Sequence, residues 1–158
     1  GWQLADAAWT AQSASRTPFI SAQNHYSLLH RDAERNLIPA AHAFGVGVLP
    51  FFPLANGLLT GKYTRDHAPE DSRLQKFKPA LLESAPWAAL GKLQVFADER
   101  GIGMVDVAVG WLLAQPQVAS VIAGATRPEQ VAANATATSW QPTDEDLAAI
   151  DEILPPPA

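Results

Sequence analysis

No cysteine occurs in the chain, which excludes a disulfide framework and a thiolate metal site and is compatible with a reducing compartment. Basic residues are few: 11 Lys and Arg against 16 Asp and Glu leave a net charge of −5 and a pI near 5.2. They are scattered along the sequence, so the concentrated basic surface that a sequence-independent grip on nucleic acid needs is lacking. Gly and Pro interrupt every apolar run well short of the roughly 20 residues of a membrane-spanning helix. The opening GWQLADAAW has neither a basic n-region nor an initiator Met and does not read as a signal peptide. Cytoplasm is the expected compartment. No repeat of a few tens of residues is present, and no low-complexity segment beyond the proline tail at 155–157.

What is present suits one ordinary domain: 158 residues with 47% hydrophobic content can build a sizeable core. Residues 1–15 carry Leu4, Ala7, Ala8 and Ala11 on one helical face. Phe19 to Gln23 read as a strand, with Asn24, His25, Tyr26 and Ser27 just beyond its C-terminal end, where parallel α/β folds bind ligands. Gln23, Asn24, His25 and Tyr26 are therefore site candidates; the competing reading is a hydrogen-bonded loop with a structural histidine. Residues 32–44 form a second amphipathic helix closed by Gly45. Val46 to Phe52 read as a strand with Pro50 near its end, where a ladder hydrogen bond is dispensable. From Pro53 to about Ser84 a long Gly- and Pro-containing loop is expected, functional or mobile in character. Helices follow at 87–100 and 104–115, the second stopped by Pro116. Thr143-Asp144-Glu145-Asp146 opens a last helix in capping-box fashion.

The stretch from Val118 to Asn134 organises the rest. Val118, Val121 and Ile122 suit a buried strand, and Gly124 ends it. Ala125, Thr126 and Arg127 make a tight turn before Pro128 at the first position of a helix, with Glu129 in its first turn. Unpaired backbone N–H groups and the positive end of a helix dipole thus meet the Arg127 cation, which suits an anion. Taken alone, the same pattern also describes a plain strand-to-helix connection. Strands alternating with helices imply right-handed crossovers and a parallel sheet.

The wording GATRPEQVAAN resembles the cofactor-binding segment of the aldo-keto reductases. The strings SAQNHYSLLHR, GVGVLPFFPLANGLLTGKY, VDVAVGWLLAQP and VIAGATRPEQVAAN stand in that family's order and spacing, so the resemblance covers nearly the whole chain. It implies an α/β fold, the C-terminal half of a (β/α)8 TIM barrel with three parallel strands and accessory helices. Residues 1–158 would form a partial domain lacking its N-terminal half. It implies NADPH as cofactor, with Gly124, Ala125, Thr126 and Arg127 at the 2′-phosphate and Gln130 and Asn134 near the adenylate. Ala133 departs from the Glu that many members carry there. Gln23 matches the residue that hydrogen-bonds the nicotinamide carboxamide. Phe51 matches the aromatic, often Tyr or Trp, that stacks on the nicotinamide, keeping the face and losing the hydroxyl. Phe52, Pro53, Leu54, Gly57 and Lys62 fall where the family wraps the pyrophosphate. The planar donor fork of Arg127 favours a 2′-phosphate over a bare ribose.

The family's catalytic Asp, Tyr, Lys and His, in which Tyr is the general acid and Lys lowers its pKa, all lie in the first half of its barrel. Tyr26, Tyr63, His25 and Lys62 match other positions, so no catalytic residue and no metal ligand is expected here. Three strands would leave the sheet with open edges, and Gly1 begins directly on a helical pattern, as a chain cut upstream would. The implied parent reduces aldehydes or ketones to alcohols, its partners being a small carbonyl substrate and a complementary N-terminal half, with no nucleic acid and no membrane. Two other readings stand beside it: a non-catalytic NADPH-binding regulatory module, and a degenerate fragment that binds nothing alone.

Overall fold

Amphipathic spacing and Gly or Pro stops place most helices where the sequence puts them. The computed structural model describes residues 1–70 and 72–157, and of Arg73 the backbone alone. Helix α1 (Trp2–Ser13) leads to strand β1 (Ser21–His25), helix α2 (Ala33–Phe44) and strand β2 (Gly47–Phe51). A 3-10 segment (Ala55–Thr60) and two short helices, α3 (Arg73–Phe77) and α4 (Pro79–Glu83), follow. Then come α5 (Trp87–Glu99), α6 (Met104–Leu113), α7 (Pro128–Thr136), a 3-10 turn (Ala137–Ser139) and α8 (Asp144–Ile153). Gly45 closes α2 in the left-handed region at φ 64, its N–H turned back onto the last carbonyls.

The sheet is parallel and has two regular strands, with Ser21 opposite Gly47, Gln23 opposite Leu49 and His25 opposite Phe51. The first strand lies two residues later than expected from Phe19–Gln23. Phe19 and Ile20 precede it and are exposed, because pairing starts where the Gly47 N–H donates to the Ile20 carbonyl. Asn24 and His25 consequently lie inside the strand rather than beyond it.

The third expected strand, from Val118 to Ile122, is not regular. It runs parallel to β2 through two isolated bridges, Val48 to Val118 and Phe51 to Ile122. Three steps along β2 thus face four along this segment, the signature of a bulge. Pro50 has no N–H to give, and its carbonyl instead accepts from the Ile122 N–H at 2.9 Å. The 118–122 segment is held at its two ends and irregular between them.

The long loop expected over Pro53 to Ser84 is also corrected. The 3-10 segment, α3 and α4 occupy much of it; Asp71 lies outside the described residues. Leu58, Leu59, Tyr63 and Leu74 anchor the stretch in the main core. Apolar burial, rather than helical propensity, fixes pieces this short.

That core lies among α5, α6, α8 and the loops, around Leu93, Phe96, Val107, Trp111, Leu112 and Ile150. A smaller cluster of Ala41, Val46 and Val48 joins α1 and α2 to the covered face of the sheet. Helix α6 crosses the segment after α7 at Gly110, where a Cβ would stand 2.5 Å from Trp140 Cε3. Only glycine permits that approach.

Candidate functional site

Alternation along the strands separates two faces. Val48 and Pro50 point into protein, whereas Ser21 and Gln23 are exposed and Gly47, Leu49 and Phe51 are half-buried. Gln23 and Phe51 therefore share the open face. His25, Phe51 and Ile122 stand at one level, since His25 pairs with Phe51 and Phe51 bridges to Ile122. The loops that follow these residues leave the sheet side by side at its C-terminal end.

The segment after β2 is built for close backbone approach. Phe52, Ala55 and Asn56 have positive φ (55, 47 and 60), and Gly57 follows at 105. Non-glycine residues hold that region only where their surroundings enforce it. Pro53 and Ala55 are buried, Leu54 and Gly57 half-buried. The Thr60 hydroxyl donates to the Gly57 carbonyl at 2.7 Å. Exposed Lys62 lies over the Tyr63 ring at 5.0 Å.

Across the sheet end, Gly124, Ala125, Thr126 and Arg127 are all exposed. Arg127 is the N-cap residue of α7 in extended conformation, with Pro128 in the first turn. Its guanidinium has no hydrogen-bond or ion-pair partner among the described residues. The Thr126 N–H and hydroxyl both donate to Gln130 Oε1, at 2.7 and 3.1 Å. A side-chain oxygen of the protein thus occupies the position an anion's oxygen would take at this helix start. Asn134 is half-buried one turn further along.

Tyr26 belongs to the scaffold. Fully buried, it donates to Glu34 Oε1 at 2.8 Å and packs on Trp111. Burial, then the hydrogen bond to Glu34, pushes its hydroxyl far above the ordinary value. Arg31 binds Glu34 through Nε and Nη2 and Asp151 through Nη1. His25 is different. Its ring stacks on His30 at 3.8 Å and on Phe51 at 5.3 Å, and meets Phe52 edge-on. Burial, then His30 and Lys78, lower its pKa from 6.5. Sequence reading missed His30 and Lys78. His30 closes the local Ser27–His30 turn, which carries it back over His25, and Lys78 lies in a stretch read as loop that the fold brings to Phe52.

The Aldo/keto reductase family model matches residues 2–155. The chain belongs to the aldo/keto reductase family. It is 37% identical over 148 residues to an L-glyceraldehyde 3-phosphate reductase of Escherichia coli O157:H7, covering 88% of this chain and 42% of that protein. A probable voltage-gated potassium channel subunit beta of Oryza sativa subsp. japonica is 34% identical over 143 residues, 85% of this chain and 44% of the relative. The uncharacterized oxidoreductase YrpG of Bacillus subtilis (strain 168) is 32% identical over 157 residues, 99% of this chain and 47% of its own length. The chain spans less than half the length of these relatives.

Aldo/keto reductases generally use NAD(P)H and fold as (β/α)8 barrels; this chain holds two regular parallel strands and one irregular segment of such a sheet. The residues present suit the phosphates of a nicotinamide dinucleotide. Arg127 is an unspent cation at a helix start, and Gly57 keeps the backbone open above Tyr63, whose Oη is buried without a hydrogen-bond partner. Among the described residues no group of His, Cys, Asp or Glu is arranged to hold a metal ion. No helix among them is long and apolar enough to cross a membrane.

Proposed function

We propose that the chain is the cofactor-binding part of an NADPH-dependent carbonyl reductase acting in the cytoplasm. The observation that carries this reading is the common level of His25, Phe51 and Ile122. It brings an aromatic platform, a glycine-containing loop with Lys62 and the Arg127 turn to one end of one sheet. Gln23 on the same face would hold the nicotinamide carboxamide and Phe51 would stack on the ring. Phe52 to Lys62 would wrap the pyrophosphate. Gly124 to Arg127 would take the 2′-phosphate, with Gln130 and Asn134 toward the adenine. When bound, NADPH supplies the hydride. The chain's own residues orient it, and the general acid for an aldehyde or ketone substrate comes from a complementary N-terminal half of the barrel.

The test is an NADPH titration followed by nucleotide fluorescence, with the chain alone and mixed with an N-terminal half from a relative. Arg127→Ala should weaken NADPH binding about tenfold or more, as loss of a charge-assisted hydrogen bond does, and should discriminate less against NADH. Unchanged NADPH affinity in Arg127→Ala would remove the 2′-phosphate assignment. Turnover of a generic aldehyde is expected only in the mixture. A second reading, a nucleotide-binding regulatory module, draws support from the likeness to proteins named as channel beta subunits. It requires NADPH binding with no turnover even in the mixture.

A further inference from the structure

We propose that His25, His30 and Lys78 form a subsite for an oxyanion, the carboxylate or phosphate of an anionic carbonyl substrate, at the C-terminal mouth of the sheet beside Phe51. The proposal rests on the reductase reading above and names the class of substrate it takes. Lys78 and His25 converge on one exposed aromatic, and His30 stacks on His25. Phe52 is 42% exposed and held outward at φ 55. Lys78 Nζ lies 5.6 Å from the centre of its ring, and the His25 ring meets it edge-on at 5.7 Å. The His30 ring lies 3.8 Å from that of His25, nearly parallel to it.

Charge makes this grouping unusual within the molecule. The chain is acidic by five charges overall, yet no carboxylate bonds to any of the three groups among the described residues. Lys78 Nζ bonds the neutral Asn56 Oδ1 at 3.0 Å. The groups that act on His25 electrostatically are His30 and Lys78, both of the same sign. Elsewhere the buried cation Arg31 is matched by Glu34 and Asp151, and Arg100 by Asp146. The Lys78 ammonium beside two imidazoles that can donate to or take up a proton for an anion, edged by aromatic rings and with no carboxylate bonded to it among the described residues, is complementary to an anion. An arriving oxyanion would meet Lys78 as its counter-charge, favour the protonated form of the rings beside it, and leave the reacting end of a short substrate over the open face. The cofactor's phosphates have Lys62 and Arg127 for themselves, which leaves these three groups unassigned to it.

The test uses the 158-residue chain and the side-chain NMR signals of its histidines, assigned with His25→Gln and His30→Gln. Their titration is followed at fixed ionic strength in sodium chloride, inorganic phosphate, succinic semialdehyde and neutral butyraldehyde. Phosphate and the semialdehyde should raise the midpoints of His25 and His30 by about half a pH unit or more, since a bound counter-charge favours the protonated ring. Butyraldehyde should not. The larger rise tells whether phosphate or carboxylate is the preferred group. Lys78→Gln should at least halve the rise. The proposal is overturned if the anions act no more strongly than chloride, if Lys78→Gln leaves the rise intact, or if saturating NADPH abolishes it and so assigns the site to the cofactor. A His25 midpoint at the unfolded value of about 6.5 would overturn it too. NADPH affinity of the same sample reports on the cofactor reading separately. Anion-responsive histidines without NADPH binding would sink that reading and keep the subsite, and the reverse result would do the opposite.

Discussion

Arg31 Nη1 donates to Asp151 Oδ1 at 2.7 Å and to the Leu154 carbonyl, joining the turn after β1 to the end of α8. The guanidinium also lies 4.9 Å from the centre of the Trp111 ring. Burial opposes its charge, but the hydrogen bonds to Glu34 and Asp151 outweigh that and hold its pKa above the ordinary value. The open end of the sheet is thereby fixed to the last helix by one side chain.

Arg31→Ala should destabilise the fold by about 3 kcal/mol, because it leaves the Glu34 carboxylate beside Tyr26 without its cation. Arg31→Lys should recover only part of that, since an ammonium cannot reproduce the two-pronged bond to Glu34 and the reach to Asp151 together. Urea denaturation followed by circular dichroism measures both. Equal stability of Arg31→Ala and the parent would show that the network contributes nothing net.

Gly110→Ala should cost roughly 1–3 kcal/mol, the range of an overpacked core. The added methyl meets the Trp140 ring at 2.5 Å and its carbonyl oxygen at 2.9 Å, so α6 and the segment after α7 must separate. Trp140 fluorescence should change with stability. Since the Ala137–Ser139 turn joins α7 to Trp140, NADPH binding should weaken in the same variant.

His25 should make stability depend on pH in the mildly acidic range. Its folded pKa lies below the unfolded value of 6.5, so between the two values the unfolded chain binds a proton that the native one does not. Stability is full above about pH 6.5 and falls as pH drops through that window, levelling off below the folded value. In His25→Gln the urea midpoint should be flatter across the window. A curve as steep as the parent's would place the pH dependence on other groups.

Much of the helical framework was legible because amphipathic spacing, Gly45 and Pro116 mark helix faces and ends by local rules. The strands were less legible. Phe19 and Ile20 look like strand residues by composition, yet the register is set by hydrogen bonds to Gly47, far along the chain. The bulge opposite Pro50 depends on a pairing that no local window contains. For the candidate site, the motifs around Gln23, Phe51 and Arg127 could be read from their wording. His30 could not, because no motif marks the local turn that folds it back onto His25, and Lys78 could not, because it meets Phe52 only through tertiary packing.

The extra residue between Val118 and Ile122 sets the phase of everything downstream. Along β2, Val48 and Phe51 look to opposite sides of the sheet, while four steps along a regular strand would leave Val118 and Ile122 on the same side. The irregular backbone between them absorbs the extra step, so Val118 stays with the interior and Ile122 comes out beside Phe51. Were the same four steps a regular strand, the turn carrying Arg127 would be delivered to the opposite side of the sheet.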